Sequence, residues 1–141
     1  MVTRGKPVIA GERGVDLGEA LRLYDAVGWI AYTRDPAVLE RALSGSHLVL
    51  TARVDGRLVG LARTVSDDAT ICYVQDLLVD PDLQRRGIGR ALVHELLERY
   101  WHCRQLVLIT DADSPAVHAF YRSVGLELGD EHGTSVFLRL C

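Results

Sequence analysis

Apolar residues recur along the first third of the chain at the spacing of helices with one buried face. Between Asp16 and Val27 they return every three to four residues, which predicts a helix with Asp16 as its N-cap and Gly28 as its stop. Asp35-Pro36 predicts the start of a second helix, because proline is favoured in a first helical turn, and Gly45 predicts its end.

The middle of the chain changes to strand-like runs. Asp55-Gly56-Arg57 separates two such runs, and Asp-Gly in this position is typical of a β-hairpin. A turn at Ser66-Asp67-Asp68 leads into the next strand. The strands predicted up to this point are Pro7–Ala10, Leu48–Val54, Leu58–Val65 and Thr70–Val79. Their short connections predict antiparallel pairing of the last three.

The second half of the chain predicts a crossover. Its expected elements are a helix from Gly87 to about Tyr100, a strand Gln105–Thr110, a helix Ser114–Val124 and closing strands Leu126–Leu128 and Ser135–Leu140. Strand–helix–strand order between residues 70 and 110 predicts two neighbouring parallel strands. We therefore expect one α/β domain over residues 1–141, with a mixed sheet of about six to seven strands and about four helices.

Composition narrows the function classes. The chain has 141 residues, of which 48% are hydrophobic and 25% are charged, and its net charge is −3. It therefore lacks the strong positive electrostatic field that would attract nucleic acid or anionic membranes. No apolar run approaches the length of a membrane span, and Met1–Lys6 leads into no apolar segment, so we expect no signal peptide. The three cysteines and five histidines lack metal-ligand spacing. We expect reduced thiols, no metal and a cytoplasmic protein.

The segment Gln84–Arg90 carries the strongest functional signal. It contains Gly87 and Gly89 and lies between a predicted strand and a predicted helix. Glycines let a backbone approach a ligand closely, and a helix N-terminus offers unpaired N–H groups to a phosphate. No Gly-Lys-Ser/Thr follows, which excludes a P-loop, and Leu92 stands where a dinucleotide fingerprint needs a third glycine.

The pattern Gln84-x-x-Gly87-x-Gly89 resembles the acetyl-CoA loop of the GNAT acetyltransferase superfamily. The later segment Ser114–Leu126, which contains Phe120-Tyr121 and Gly125, resembles the next element of that family, and both occur in the expected order. The resemblance implies acetyl-CoA as co-substrate. It also implies two parallel strands that splay apart to admit the pantetheine arm.

The resemblance assigns cofactor contacts residue by residue. Backbone amides of the loop, with its arginines, would hold the pyrophosphate, and two residues of the preceding strand would pair with the pantetheine amides. A backbone N–H near Leu78 or Val79 would stabilise the oxyanion. Ser114 stands where the family often has the asparagine that contacts the cofactor. The expected cofactor-binding residues are Leu77, Val79, Gln84, Arg85, Arg86, Gly87, Ile88, Gly89, Arg90 and Ser114.

The same resemblance makes Tyr121 the acid that protonates the leaving thiolate, since a phenol is protonated at neutral pH. Several relatives carry Glu-Asp where this chain has Gln75-Asp76, and an amide is no base. Asp76 is the remaining catalytic candidate, as a base or a site for a cationic amine. A water chain, or a substrate that arrives already neutral, would remove the need for a base at this position. The alternative is a carboxylate buried against an arginine or backbone amides.

The acceptor pocket is expected to include Trp29, Tyr32 and Gln75, because two aromatic residues lie close together between the first two helices. These expectations favour acetyl transfer to a primary amine of a small molecule. A protein or peptide acceptor and a non-catalytic acyl-CoA-binding module stay open as alternatives. We expect no nucleic-acid or membrane partner, and the family resemblance allows a homodimer through Ser135–Leu140.

Overall fold

The computed structural model describes residues 5–141, so most of Met1–Lys6, where no signal peptide is expected, lies outside the described residues. The chain forms two compact units, one ending at Ile109 and one beginning at Thr110. The strands are β1 (Val8–Gly11), β2 (Leu48–Val54), β3 (Arg57–Ser66), β4 (Ile71–Val79) and β5 (Gln105–Leu108). The helices are α1 (Leu17–Ala26), α2 (Ile30–Thr33), α3 (Pro36–Ser44), α4 (Ile88–Arg99) and, in the second unit, α5 (Pro115–Ser123).

The five strands form one mixed sheet in the order β1-β2-β3-β4-β5. The first four pair antiparallel, and β5 pairs parallel to β4, as the crossover predicts. The β2–β3 turn has positive φ at both Asp55 and Gly56, which is the type I′ geometry expected of an Asp-Gly hairpin. The predicted fold class, α/β with a mixed central sheet, is confirmed.

Helices cover both faces of this sheet. The α4 face buries a cluster that comprises Leu50, Ala52, Val54, Val59, Ala62, Cys72, Val74, Ile88, Leu92, Leu96 and Tyr100. The opposite face packs against α1 and α3 through Ala20, Leu23, Tyr24, Leu39, Val49, Leu58, Leu61 and Leu78. Asp16 caps α1 as predicted, accepting a hydrogen bond from the Glu19 N–H at 3.0 Å.

A β-bulge in β4 changes which side chains face each layer. Thr64 of β3 lies opposite Val74, and Arg63, the residue before Thr64, lies opposite Asp76. Gln75 therefore has no partner in β3 and is an extra residue in β4. Val74 packs on the α4 face, as alternation from Cys72 requires, whereas Leu78 packs on the α1 face. Because of this one inserted residue, the even-numbered side chains of the second half of β4 point to the opposite face of the sheet from those of the first half.

Two features of the predicted fold are wrong. Within residues 110–141, neither Leu126–Leu128 nor Ser135–Leu140 forms a strand, which leaves five strands instead of six to seven. Ser135–Leu140 has strand-like residues, but a strand also needs a backbone partner, and Phe137 is instead 95% exposed. The structure also has a fifth helix, α2, whose four residues are too few to produce a helical pattern in the sequence.

Candidate functional site

The second half of β4 presents an open edge. Pairing with β5 runs from Ile71 to Val74 and stops there, so no strand in the described part of the chain pairs with this edge from Gln75 to Val79. On the other edge, the Asp80 N–H donates to Val59 of β3 at 2.8 Å. Backbone groups of alternate residues point to opposite edges, so those of Leu77 and Val79 face the open side.

This alternation of backbone groups along β4 bears on the predicted pantetheine contacts and on the predicted oxyanion contact. Leu77 and Val79 present backbone donors and acceptors at the open edge, where an extended pantetheine arm would add like a strand. Leu78 lies two residues before Asp80, so its N–H points in the same direction as that of Asp80, towards β3. Of the two residues expected near the oxyanion, the geometry therefore favours Val79.

The loop after β4 has the geometry of an anion cradle. A short 3-10 helix, Pro81–Leu83, follows Asp80, whose carboxylate accepts from the Asp82 N–H at 3.0 Å. Arg85 then adopts φ +65° and Gly87 φ +79°, both left-handed. Turns with such residues direct successive N–H groups into one concavity that suits an anion. Arginine at φ +65° costs about 1 kcal/mol or more, a strain typical of ligand-binding loops.

Gly87 is also the N-cap of α4, and no side chain caps the helix. The N–H groups of Ile88 and Gly89 lie before the first intrahelical bond of α4, in which the Ala91 N–H reaches the Gly87 carbonyl at 2.9 Å. A phosphate is a suitable partner for such groups. The predicted cofactor residues 84–90 therefore form one continuous loop and helix start, with Gln84 Nε2 donating to the Val79 carbonyl at 3.4 Å.

The predicted acceptor residues Trp29, Tyr32 and Gln75 are brought together. The Trp29 and Tyr32 rings lie 6.1 Å apart between centroids, and Tyr24 of α1 lies 5.1 Å from Tyr32. The Gln75 amide donates to the Tyr32 hydroxyl at 3.3 Å. Trp29 and Tyr32 are half-buried and Gln75 is exposed, so this cluster borders solvent.

Asp76 lies beneath these aromatic rings and is 2% exposed. Its carboxylate accepts from Tyr24 and Tyr32, each at 2.9 Å, and pairs with Nε of Arg63. Burial opposes the charge of Arg63, but the facing carboxylate more than offsets this, so the pKa of Arg63 is raised. Burial, reinforced by the charge of Asp76, raises the pKa of Tyr24 above its usual range.

This geometry matches the alternative in which Asp76 is buried against an arginine, and it leaves no direct path from the carboxylate to an amine. Asp76 as a catalytic residue stays a prediction. Sequence reasoning missed Arg63 and Tyr24 as its partners. A signal for Arg63 was present, because a charged residue within the apolar run Leu58–Val65 needs a buried partner.

The second unit contains the remaining predicted residues. Ser114 is the N-cap residue of α5, but its side chain makes no capping hydrogen bond. Tyr121 lies near the end of α5, and burial raises the pKa of its phenol. The phenol therefore stays protonated through the neutral range, as a general acid requires.

A separate cleft of about 730 Å³ lies in the first unit, between the β1–α1 connection and α3. Its lining includes Glu12, Arg13, Glu40, His47 and Arg99, and none of the predicted site residues. Among residues 5–141, no group of three or more His, Cys, Asp or Glu side chains is arranged to hold a metal. Within the same residues, no helix is long and apolar enough to cross a membrane.

Comparisons with known proteins agree with this geometry. The sequence profile described as "Acetyltransferase (GNAT) family" matches residues 16–126. A GNAT-family acetyltransferase from Streptococcus pneumoniae, whose structure is solved, has a TM-score of 0.85 and 34% identity, over 96% of this chain and 98% of that one.

Two plant proteins are also similar in sequence. Histone acetyltransferase TAP1 of Glycine max is 35% identical over 129 residues, which cover 83% of this chain and 54% of that protein. Serotonin N-acetyltransferase 2, chloroplastic, of Oryza sativa subsp. japonica is 29% identical over 134 residues, covering 91% of this chain and 64% of that protein. The chain thus spans between half and two thirds of these relatives.

Proposed function

The chain belongs to the GNAT acetyltransferase family, and from this premise we propose that it transfers the acetyl group of acetyl-CoA to a primary amine of a small molecule. The observation that carries the proposal is the open β4 edge at Leu77 and Val79, which runs directly into the uncapped start of α4. An extended amide-containing arm and a pyrophosphate need these two features in this order.

The residues present fit acetyl-CoA. The left-handed turn at Arg85 and Gly87 and the N–H groups of Ile88 and Gly89 at the start of α4 suit the pyrophosphate. The arginines at 85, 86 and 90 supply positive charge. The strain at Arg85 is consistent with a loop shaped for a ligand.

Direct attack assigns a task to each remaining group. The amine nitrogen forms a bond to the acetyl carbon, and the N–H of Val79, which faces the open edge, stabilises the negative charge that develops on the carbonyl oxygen. Tyr121 gives its proton to the departing thiolate. The aromatic pocket of Trp29 and Tyr32, with Gln75 at its border, binds the acceptor.

A protein or peptide acceptor is the second candidate, and one observation favours it. The Glycine max relative, 35% identical to this chain, is named a histone acetyltransferase. The rice relative is named for serotonin, a small arylalkylamine, and the half-buried aromatic cluster suits a compact aromatic amine at least as well. We therefore keep the small-molecule acceptor as the first candidate.

The remaining parts of the proposal concern the whole chain. We propose that residues of both compact units, which the family match spans, act as one acetyltransferase domain over residues 1–141. We also propose a cytoplasmic enzyme, in which Cys72, Cys103 and Cys141 stay free thiols. A homodimer through Ser135–Leu140, where Phe137 and Leu140 are exposed, is expected, and sedimentation at two concentrations measures it.

The experiment measures CoA thiol release from acetyl-CoA over arylalkylamines, polyamines, amino sugars and short peptides. Tyr121→Phe is expected to lower kcat by about 10² to 10⁴ with unchanged acetyl-CoA affinity, because only the proton donor is lost. Tyr100→Phe, which removes a buried hydroxyl that contacts Thr64 on the α4 face of the sheet, is the control. Absence of acetyl-CoA binding in a calorimeter would overturn the proposal, and peptides acetylated faster than every small amine would favour the second candidate.

A further inference from the structure

The hydroxyl of Tyr32 is the end of a buried chain of hydrogen bonds. It donates to Oδ1 of Asp76 at 2.9 Å, while Oδ2 accepts from Tyr24 at 2.9 Å and from Nε of Arg63. An ionised carboxylate only accepts hydrogen bonds, so Tyr32 must direct its single hydrogen inwards. The orientation of this phenol is therefore fixed by groups behind it.

The outward side of the Tyr32 oxygen consequently carries only lone pairs. One of them faces the Gln75 amide, whose Nε2 donates at 3.3 Å, and the buried guanidinium of Arg63 also forms a hydrogen bond with this hydroxyl. An incoming group therefore takes the place of the exposed Gln75 amide. Any further group that binds this oxygen has to be a donor. An amine N–H meets this requirement, whereas a carboxylate or a carbonyl would place acceptor against acceptor.

The charges around Tyr32 cancel. The titratable side chains that face it are Tyr24 from α1, Arg63 from β3, and Asp76 and Tyr73 from β4. Arg63 and Asp76 form a pair, with Cζ of Arg63 5.8 Å from the Tyr32 ring centroid, and burial keeps Tyr24 and Tyr73 uncharged by raising each pKa. The cluster therefore offers an ammonium no unpaired negative charge and no exposed carboxylate to take its proton.

We propose that Tyr32 positions the acceptor nitrogen by accepting one of its N–H hydrogens, and that the acceptor is an amine that reaches the site already neutral. Asp76, Arg63 and Tyr24 act behind Tyr32 as positioning residues. The inference rests on the proposed acetyl transfer. As the C–N bond forms and the C–S bond breaks, the surplus nitrogen proton leaves to water, and the thiolate takes the proton of Tyr121, which water restores.

The first test compares tyramine with tyrosinamide, which share a ring suited to the Trp29–Tyr32 cluster and differ in amine basicity. An aliphatic amine has a pKa of about 10.4 and an α-amino group about 7.7–8.0. Plots of kcat/KM against pH are expected to rise with an apparent pKa that follows each amine. At pH 7.5 tyrosinamide then reacts faster by roughly a hundredfold. The same apparent pKa for both substrates would show that an enzyme group takes the proton, and would overturn the inference.

The second test changes the polarity of Tyr32. Tyr32→Phe is expected to lower kcat/KM for the amine about tenfold through KM, the size of one hydrogen bond, with acetyl-CoA affinity unchanged. Asp76→Asn must keep its amide oxygen towards Arg63 and Tyr24, so its NH₂ group faces Tyr32 and turns the phenol hydrogen outwards. That variant should lose amine binding and gain affinity for 4-hydroxyphenylacetate, whose carboxylate accepts. If Asp76 only stabilised the fold, Asp76→Asn would not exchange a preference for the amine for a preference for the carboxylate.

A binding readout separates this inference from the proposed function. The chain has two tryptophans, so Trp101→Phe, at a position 81% exposed, leaves Trp29 as the fluorescent reporter 6.1 Å from Tyr32. Tyrosinamide binding, measured at about pH 9 where its amine is neutral, that weakens in Tyr32→Phe supports the inference even if no amine is acetylated and the proposed transfer fails. Acetyl transfer with full amine affinity in Tyr32→Phe overturns the inference and leaves the proposed function in place.

Discussion

Replacing Arg63 by methionine should destabilise the protein strongly, because Arg63 is the only positive charge paired with the buried carboxylate of Asp76 among the described residues. The side chains are 9% and 2% exposed, so water cannot replace the lost partner. Methionine keeps most of the packing volume of the arginine stem, so the effect reports the charge. Tyr24 and Tyr32 continue to donate to Asp76 but bring no charge.

Breaking a buried pair by removing one partner costs about 3–5 kcal/mol. This is a large share of the roughly 5–15 kcal/mol by which domains are stable. With an m-value of about 2 kcal/mol/M, the urea midpoint should fall by about 2 M, and Tm by roughly 10 °C. Urea unfolding followed by far-UV circular dichroism measures the change.

The matched control is Arg99→Met. Arg99 pairs with Glu95 at 2.9 Å, but their side chains are 43% and 32% exposed, so its loss should cost at most about 0.5 kcal/mol. In a double-mutant cycle with Asp76→Leu, the double variant should recover about 2 kcal/mol relative to the summed single effects. Recovery should stay incomplete because Tyr24 keeps a buried donor without an acceptor. Equal losses in Arg63→Met and Arg99→Met would refute the reasoning.

Two further predictions concern packing and pH. A Cβ at Gly60 would lie 3.0 Å from Ile88 Cγ2, so Gly60→Ala should shift the first turn of α4. We expect the free energy of unfolding to fall by about 1–3 kcal/mol and acetyl-CoA binding, measured by calorimetry, to weaken. Gly11→Ala is the control, because its Cβ would have its nearest contact at 3.4 Å, and it should change neither stability nor binding. A hydrogen bond from Arg53 lowers the pKa of Glu12, so Glu12 stabilises the fold above its unfolded pKa of about 4.3, and this contribution is lost as pH falls through the lower folded value. Acid unfolding of Glu12→Gln should therefore lack that part of the pH slope, and an unchanged slope would contradict the assignment.

Local chemistry explains what was predictable in the fold. The Asp55-Gly56 turn, the Asp16 cap and the parallel β4–β5 pair depend on residues near each other in sequence or on connection length, so the sequence alone was sufficient. Ser135–Leu140 was mispredicted because strand formation depends on a distant backbone partner as much as on its own residues.

In the candidate site, too, features set by neighbouring residues were predicted, and a contact between residues distant in sequence was not. The loop 84–90 was located correctly at the start of α4 because glycine spacing fixes its backbone. The partnership of Arg63 and Asp76 was not found. A regular hairpin would pair Arg63 with Gln75, and the bulge that replaces Gln75 by Asp76 has no glycine or proline to mark it in the sequence.

That bulge connects the fold to the proposed chemistry. By adding one residue to β4, Gln75 brings Asp76 onto the face of Tyr24 and Tyr32, where its carboxylate fixes the phenol. The same shift sets the phase of the residues that follow, so that the backbone groups of Leu77 and Val79 point to the open edge. The proposed donor edge and the proposed acceptor contact therefore depend on a single register change. Gln75 thus places its neighbours, and because its amide is no base, it is compatible with the proposed acceptor that arrives neutral.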